Sequence, residues 1–412
     1  MQPNHTIESK EDLLIHFGSS ETLEILDLQQ MEDLMEMNAP PEVWEDASNR
    51  NLLSFNYEFV QQTKKITFCY RKIEYIYLIS FLTHLTELDL QQNKISDISV
   101  IFKLKNLKKL NLINNFIEDI SALQSLPDLT HLYLYCNNLT SYTLALPNLV
   151  DSSLGYNQLQ DKSGLQHSPK LQRLNLCGTE ITDLRSIPSQ LFGLKQLYLS
   201  SNSITEISYL SNFVDLQILD LSYNQQLQYI GPLQFCTQLT ELDISETNVS
   251  DIWSLRFLKN LTRLEMKTQT QVVDLHPLQH LYKLKIIFAP YSGIIDVSPL
   301  SKLTQLYSLD FRFNKITNAE TLKHHQNFPK YNFADQEVPT TDELTFYIKI
   351  LSAHSSHKQI RKIQNENKAS KIKESMTHQK EQIKLKINEQ IQVMNMKIEI
   401  WAQFVQNSNA DQ

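Results

Sequence analysis

The chain has 412 residues, 41% of them hydrophobic, and a net charge of −8, enough for about two or three domains or one long repeat array. Its seven glycines are too few for the phosphate loops and dinucleotide folds that need several close together. Residues 1–62 hold 13 acids and 2 bases, residues 63–339 hold 25 of each, and residues 340–412 hold 8 acids and 11 bases, so no region is basic enough to favour nucleic acid.

The N-terminus, MQPNHTIESKEDLLIHF, lacks a basic start followed by an apolar run, so no secretory leader is expected. Ser9 with Asp12 reads as a capping box opening a short helix that Gly18 stops. Residues 20–37 are expected to form a second helix, with Leu23, Leu26, Met31 and Leu34 on one face. The same stretch, TLEILDLQQM, also reads as a decayed repeat. Helix is preferred because Met31 stands where a repeat would carry a turn asparagine.

From Lys64 onward a period near 22 takes over. LTELDLQQNKISDISVIFKLKN from Leu85 and LKKLNLINNFIEDISALQSLPD from Leu107 place apolar residues at the same offsets. Further units start at Leu129, Leu149, Leu171, Leu194, Leu216, Leu239, Leu261, Leu284 and Leu306. A degenerate unit, KKITFCYRKIEYI, precedes them, and a half unit, FPKYNFADQEV, closes them.

The form LxxLxLxxNxI at such a period is the mark of a leucine-rich repeat solenoid. The unit resembles the short class found in the leucine-rich regulatory subunit of type-1 protein phosphatase, and internalin repeats are similar. The resemblance implies an α/β solenoid, a horseshoe of about 12 units with a parallel concave sheet. It also makes a phosphatase catalytic subunit one candidate partner. In each unit the two leucines of xLxLx face inward. The recurring Asn93, Asn115, Asn137, Asn157, Asn202, Asn224 and Asn314 are expected to bond the backbone where the strand turns. Thr179, Thr247, Gln269 and Ser292 replace the asparagine in four units and Arg71 in the first, so looser bends are expected there.

After Pro339, the run Thr340-Thr341-Asp342-Glu343 reads as a second capping box, with Leu344, Tyr347, Ile348 and Leu351 as an apolar stripe. Residues 358–405 contain no Gly or Pro. Two apolar frames, Ala369 to Ile383 and Ile387 to Val405, suit a long helix and a possible homodimer through residues 369–405. The expected organisation is an acidic helical N-terminal cap over 1–62, a solenoid over 63–338 and a helical C-terminal cap and tail over 339–412.

Chemistry is sparse. No GxxxxGK[ST], GxSxG, HExxH or CxxC occurs. His276 and His280 flank Pro277 in a loop-like setting, so no metal, cofactor or catalysis is expected. No apolar run approaches a membrane span. Cys69, Cys136, Cys177 and Cys236 are dispersed, as in a protein of a reducing compartment. A cytoplasmic location is expected, with nuclear or cytoskeletal sites also open.

The outward strand residues should stack into a central column: Thr67, Asp89, Asn111, Tyr133, Ser153, Asn175, Tyr198, Asp220, Asp243, Glu265, Phe288, Asp310 and Asn332. At about 4.8 Å per strand this face is roughly 60 Å long. Tyr133, Tyr135, Tyr156 and Tyr198 form an aromatic zone, and Asp220, Glu241, Asp243, Glu246 and Glu265 an acidic one bordered by Phe288, Tyr291 and Arg312. Exposed tyrosines suit interfaces, and adjacent acids repel until a basic partner arrives. The expected function is a non-catalytic interaction scaffold or regulatory subunit, docking a protein at Tyr133, Tyr135, Tyr156, Tyr198, Asp220, Asp243, Glu265 and Phe288. A structural alternative gives the tail the main role, assembling the chain on itself or on a cytoskeletal bundle. An exported adhesin of the internalin kind would need a leader and cysteine-rich flanks.

Overall fold

The computed structural model describes residues 62–268, 272 and 274–336, with Leu23–Ile25, Met35 and Leu53–Phe55. The chain divides into two compact units, Met1–Thr341 and Asp342–Gln412. The expected cap helix after Pro339, the long tail helix and the homodimer seam lie outside the described residues, as does the capping box at Ser9.

In the solenoid, each coil opens on a three-residue strand. The first, Lys65–Thr67, pairs with Glu87–Asp89, and the series runs in chain order to Ser308–Asp310 as one 12-stranded parallel sheet. The centre of each strand is buried and its flanks are more open, the alternation that a period of two imposes. The half unit adds a last bridge, Asp310 to Asn332.

Most coils return through a 3₁₀ turn rather than an α-helix, so the layer opposite the sheet of the expected α/β solenoid is largely built of 3₁₀ turns. Ser99–Lys103, Ser121–Ser125 and Trp253–Phe257 are typical, each five residues long. A coil of about 22 residues leaves too short a return for α-helical turns, and 3₁₀ geometry serves such short pieces. An aspartate two residues ahead often sets the turn. Asp97 accepts from the Ser99 amide at 2.7 Å, Asp119 from Ser121 at 2.7 Å and Asp251 from Trp253 at 2.8 Å. This explains the recurring Asp-Ile of the second half-unit.

Coils are tied by their asparagines. Asn224 accepts from the Ile204 amide at 3.0 Å and donates to Leu199 O at 3.0 Å and Leu221 O at 2.9 Å. Asn93, Asn115, Asn137, Asn157, Asn202 and Asn314 repeat the arrangement. Where the asparagine is replaced, less is held. The Thr179 and Thr247 hydroxyls donate only within their own coil, to Leu176 O and Ile244 O, each at 2.7 Å. Ser292 instead reaches the preceding coil, at Met266 O, 2.7 Å away. Gln269 lies outside the described residues. The ladder ends on a residue the sequence pattern did not single out: Gln336 donates to Phe311 O at 2.8 Å and accepts from Ile316 N at 2.9 Å.

The residue before each ladder position takes left-handed backbone, from Tyr70 and Gln92 through Tyr156, Tyr223 and Tyr291 to Asp335. At the C-terminal edge Phe328, Tyr331 and Phe333 close over Phe311 with ring centroids about 6 Å apart.

The expected helix over 20–37 is corrected in part. Leu23–Ile25 is a strand paired in parallel with Leu53–Phe55, in a separate two-stranded sheet. The alternating LEILDL can satisfy a strand period as well as a helical one, and the pairing selects the strand. Met35 is helical, 2% exposed, and belongs to the apolar core.

Candidate protein-docking face

The register stacks the expected central column strand by strand. Asn111 stands beside Tyr133, Tyr133 beside Ser153, and Asn175 beside Tyr198. Tyr198 is followed by Asp220, Asp243, Glu265, Phe288 and Asp310.

In the first half the tyrosines are fixed by neighbours one strand away. The Tyr133 hydroxyl donates to Asp151 Oδ2 at 2.9 Å, and Lys109 Nζ lies 5.7 Å from its ring centroid. Burial, then the Asp151 bond, pushes the Tyr133 phenol up to about 12. Arg173 Nε stands 4.0 Å from Asp151 Oδ1, and its guanidinium lies 5.2 Å from the Tyr198 ring centroid. Tyr133 and Tyr198 are thus joined through an acid and a base that the aromatic pattern alone did not point to. Asp151 and Arg173 occupy the column two residues before the central one, so their signal was the strand alternation itself.

Tyr135 and Tyr156 form a ledge beside this row, their ring centroids 5.0 Å apart. Two glycines make room for it. A Cβ on Gly155 would stand 2.9 Å from Cys177 O and 3.0 Å from Tyr135 Cδ2. At Gly178, in left-handed backbone at φ +59°, a Cβ would stand 3.1 Å from the Tyr156 ring. The Tyr156 hydroxyl reaches Ser201 Oγ at 3.3 Å, and the side chain remains 46% exposed.

The second half is not a uniform acidic strip. Burial would raise the Glu265 carboxyl, but hydrogen bonds from Lys267 and Arg263 hold it below its ordinary value. The same two cations lie over Phe288, 5.5 and 5.1 Å from its centroid. Asp220 and Asp243 differ. Asp220 accepts from the Ser222 amide at 2.9 Å and hydroxyl at 2.6 Å, and Asp243 from the Ser245 amide at 2.8 Å. Burial pushes the Asp243 carboxyl up to about 6 despite the Ser245 bonds, with Asp220 and Glu265 adding repulsion. Asp220 and Asp243 are thus held by serine amides and a serine hydroxyl, in contrast to Glu265, which is held by cations. Past Phe288, Tyr291 and Phe313 stack at 4.3 Å, and Arg312 closes onto Asp310 at 2.7 Å.

Among the described residues no three His, Cys, Asp or Glu side chains gather as a metal-holding group, and no helix is long and apolar enough to cross a membrane. His276 turns to Asp274, 2.7 Å away.

A family model for Leucine Rich repeats (2 copies) matches residues 83–125, 105–149 and 193–235. An internalin (inlF) of Listeria monocytogenes is 31% identical with a TM-score of 0.63, over 70% of this chain and 85% of that one. The chain belongs to the leucine-rich repeat proteins. A second leucine-rich repeat structure, LIC12759 of Leptospira interrogans, shares the fold with a TM-score of 0.58 at 22% identity, over 79% of this chain and 81% of that one. Leucine-rich repeat-containing protein 56 of Rattus norvegicus is 37% identical over 26% of this chain and 20% of its own length. A protein phosphatase 1 regulatory inhibitor subunit PPP1R7 homolog of Arabidopsis thaliana is 29% identical over 31% of this chain and 43% of that protein. The chain thus covers a small part of the curated leucine-rich repeat relatives it matches, and under half of the phosphatase-subunit homolog.

Proposed function

We propose that this chain is a non-catalytic interaction scaffold or regulatory subunit that seats a partner protein on the open, concave face of its sheet. The partner brings apolar surface to Tyr133, Tyr135, Tyr156 and Tyr198 and a basic group to Asp220 and Asp243, with Glu265 and Phe288 at the rim. One observation carries the reading. A continuous column places fixed aromatic rings and two carboxylates without a basic side-chain partner on the same face. Fixed rings lose little freedom on docking, and the carboxylates gain from an arriving cation.

The similarity to the Arabidopsis PPP1R7 homolog makes a type-1 phosphatase catalytic subunit the first candidate partner, in a cytoplasmic, nuclear or cytoskeletal setting. No nucleic acid, membrane or cofactor is part of this reading.

The test is binding of a type-1 phosphatase catalytic subunit to the full chain, alongside partner capture from cell extract. Both are repeated with Asp220→Lys/Asp243→Lys and with Tyr133→Ala/Tyr198→Ala. The lysine pair is expected to weaken binding about tenfold or more while the solenoid stays folded. A partner held equally by the parent and both variants refutes the concave-face reading.

A further inference from the structure

One stretch of the solenoid breaks the rules that the rest obeys. Eleven of the twelve inward-facing strand centres are Leu or Ile, and the twelfth is Ser152, paired with Leu132 on one side and Leu174 on the other. The same coil, residues 149–170, departs twice more. Other five-residue 3₁₀ turns follow an isoleucine, such as Ile120 or Ile207, and this one follows Lys162. Others end on Leu, Phe or Cys, and this one ends on Ser168.

The two serines are inside. Ser152 and Ser168 are fully buried, and Ser152 Oγ has no hydrogen-bond partner. Ser168 Oγ donates to Leu146 O at 3.1 Å, and the Lys162 ammonium folds onto Leu159 O at 2.5 Å. The preceding coil has adapted. It has no 3₁₀ turn, and Ser141 bridges to Asp161 along an extended return. In place of the usual isoleucine it carries Tyr142, the largest fully buried side chain among the described residues. Two leucine positions reduced to serine forfeit apolar burial, and the unpartnered buried hydroxyl of Ser152 adds cost. In a solenoid, stability is a sum of coil terms and nearest-neighbour terms, so such losses stay local.

We propose that residues 129–170 are a built-in joint, at which the native array opens by local unfolding while the coils on either side stay folded. The joint lies under the aromatic zone: Tyr133 to Asp151 and Tyr135 to Tyr156 are contacts between its two coils. A partner seated on those rings therefore clamps it. That last step rests on the proposed docking function, and the joint itself does not.

Hydrogen exchange read by mass spectrometry on the free full-length chain tests it. The amides of Leu154 and Tyr156, bonded to Asn175 O and Cys177 O, correspond in register to those of Leu199 and Ser201, bonded to Asp220 O and Ser222 O in ordinary coils. They are expected to exchange about tenfold faster or more. In Lys162→Ile, exchange in 149–170 is expected to slow towards that of its neighbours, with distant coils unchanged. Equal protection of all these amides in the parent chain overturns the joint. So does a Lys162→Ile variant that leaves the coil as fast as before.

Discussion

Asn224 illustrates what was legible at a single residue. Its recurrence in the repeat announced a corner, and the structure gives it an amide donor and two carbonyl acceptors in a fully buried setting. Asn224→Ala is expected to cost about 2–3 kcal/mol, since groups from two coils lose their partner in the interior. Urea unfolding measures it, and a cost no larger than that of a surface substitution would contradict the ladder's role. The left-handed residue just before each ladder position was not legible. Tyr, Gln, Cys, Ser, Glu and Phe all take it, because the fold imposes a conformation for which their own preferences give no hint. Asp243 was legible as an acid but not as a perturbed one. Its folded carboxyl sits near 6, above the ordinary 3.8, so the folded state binds more protons than the unfolded between those values. Its contribution therefore weakens stability as pH rises through that window. Asp243→Asn is expected to raise the urea midpoint at pH 7 by the equivalent of about 1–2 kcal/mol and to leave stability near pH 4 unchanged. Parallel stability curves for parent and variant across that pH range would refute it.

For the elements, the apolar period fixed the strands because each core leucine must face inward. The returns were harder to read. Nothing in Ser121–Ser125 distinguishes a 3₁₀ turn from the start of an α-helix except the shortness of the coil, and the two readings of TLEILDLQQM needed the pairing partner at Leu53–Phe55 to separate them. The tyrosine ledge depended on a neighbour of a different kind. The repeat pattern does not single out Gly155, yet a Cβ there meets the Cys177 backbone. Gly155→Ala is expected to lower stability by about 1–3 kcal/mol and to weaken docking on the aromatic half. Gly193→Ala serves as its control, because the nearest atom to a Cβ there is 3.9 Å away. If both alanines behave alike in urea unfolding, the ledge is not held from below by Gly155.

In the solenoid as a whole, the sequence disclosed the column of outward residues and the structure disclosed which of them remain available. Glu265 and Phe288 are engaged by Arg263 and Lys267, and Tyr133 by Asp151, through bonds that depend on rotamers as well as on register. Charge counted along the chain could not separate Glu265 from Asp243. The family follows from the pattern of the coils, whereas the partner depends on side-chain detail across several of them.

The hydrogen bonds of the sheet and the asparagine ladder run from coil to coil, along the direction in which coils are added. Tension applied at the two ends of the solenoid is therefore carried in full by every coil boundary, and the boundaries yield one at a time. Each boundary that yields frees about 22 residues, a gain of roughly 70 Å in contour length once the height of the lost coil is subtracted. Mechanically the molecule is a stack of like links in series. It extends at modest force in even steps, and its first step is set by whichever link is softest.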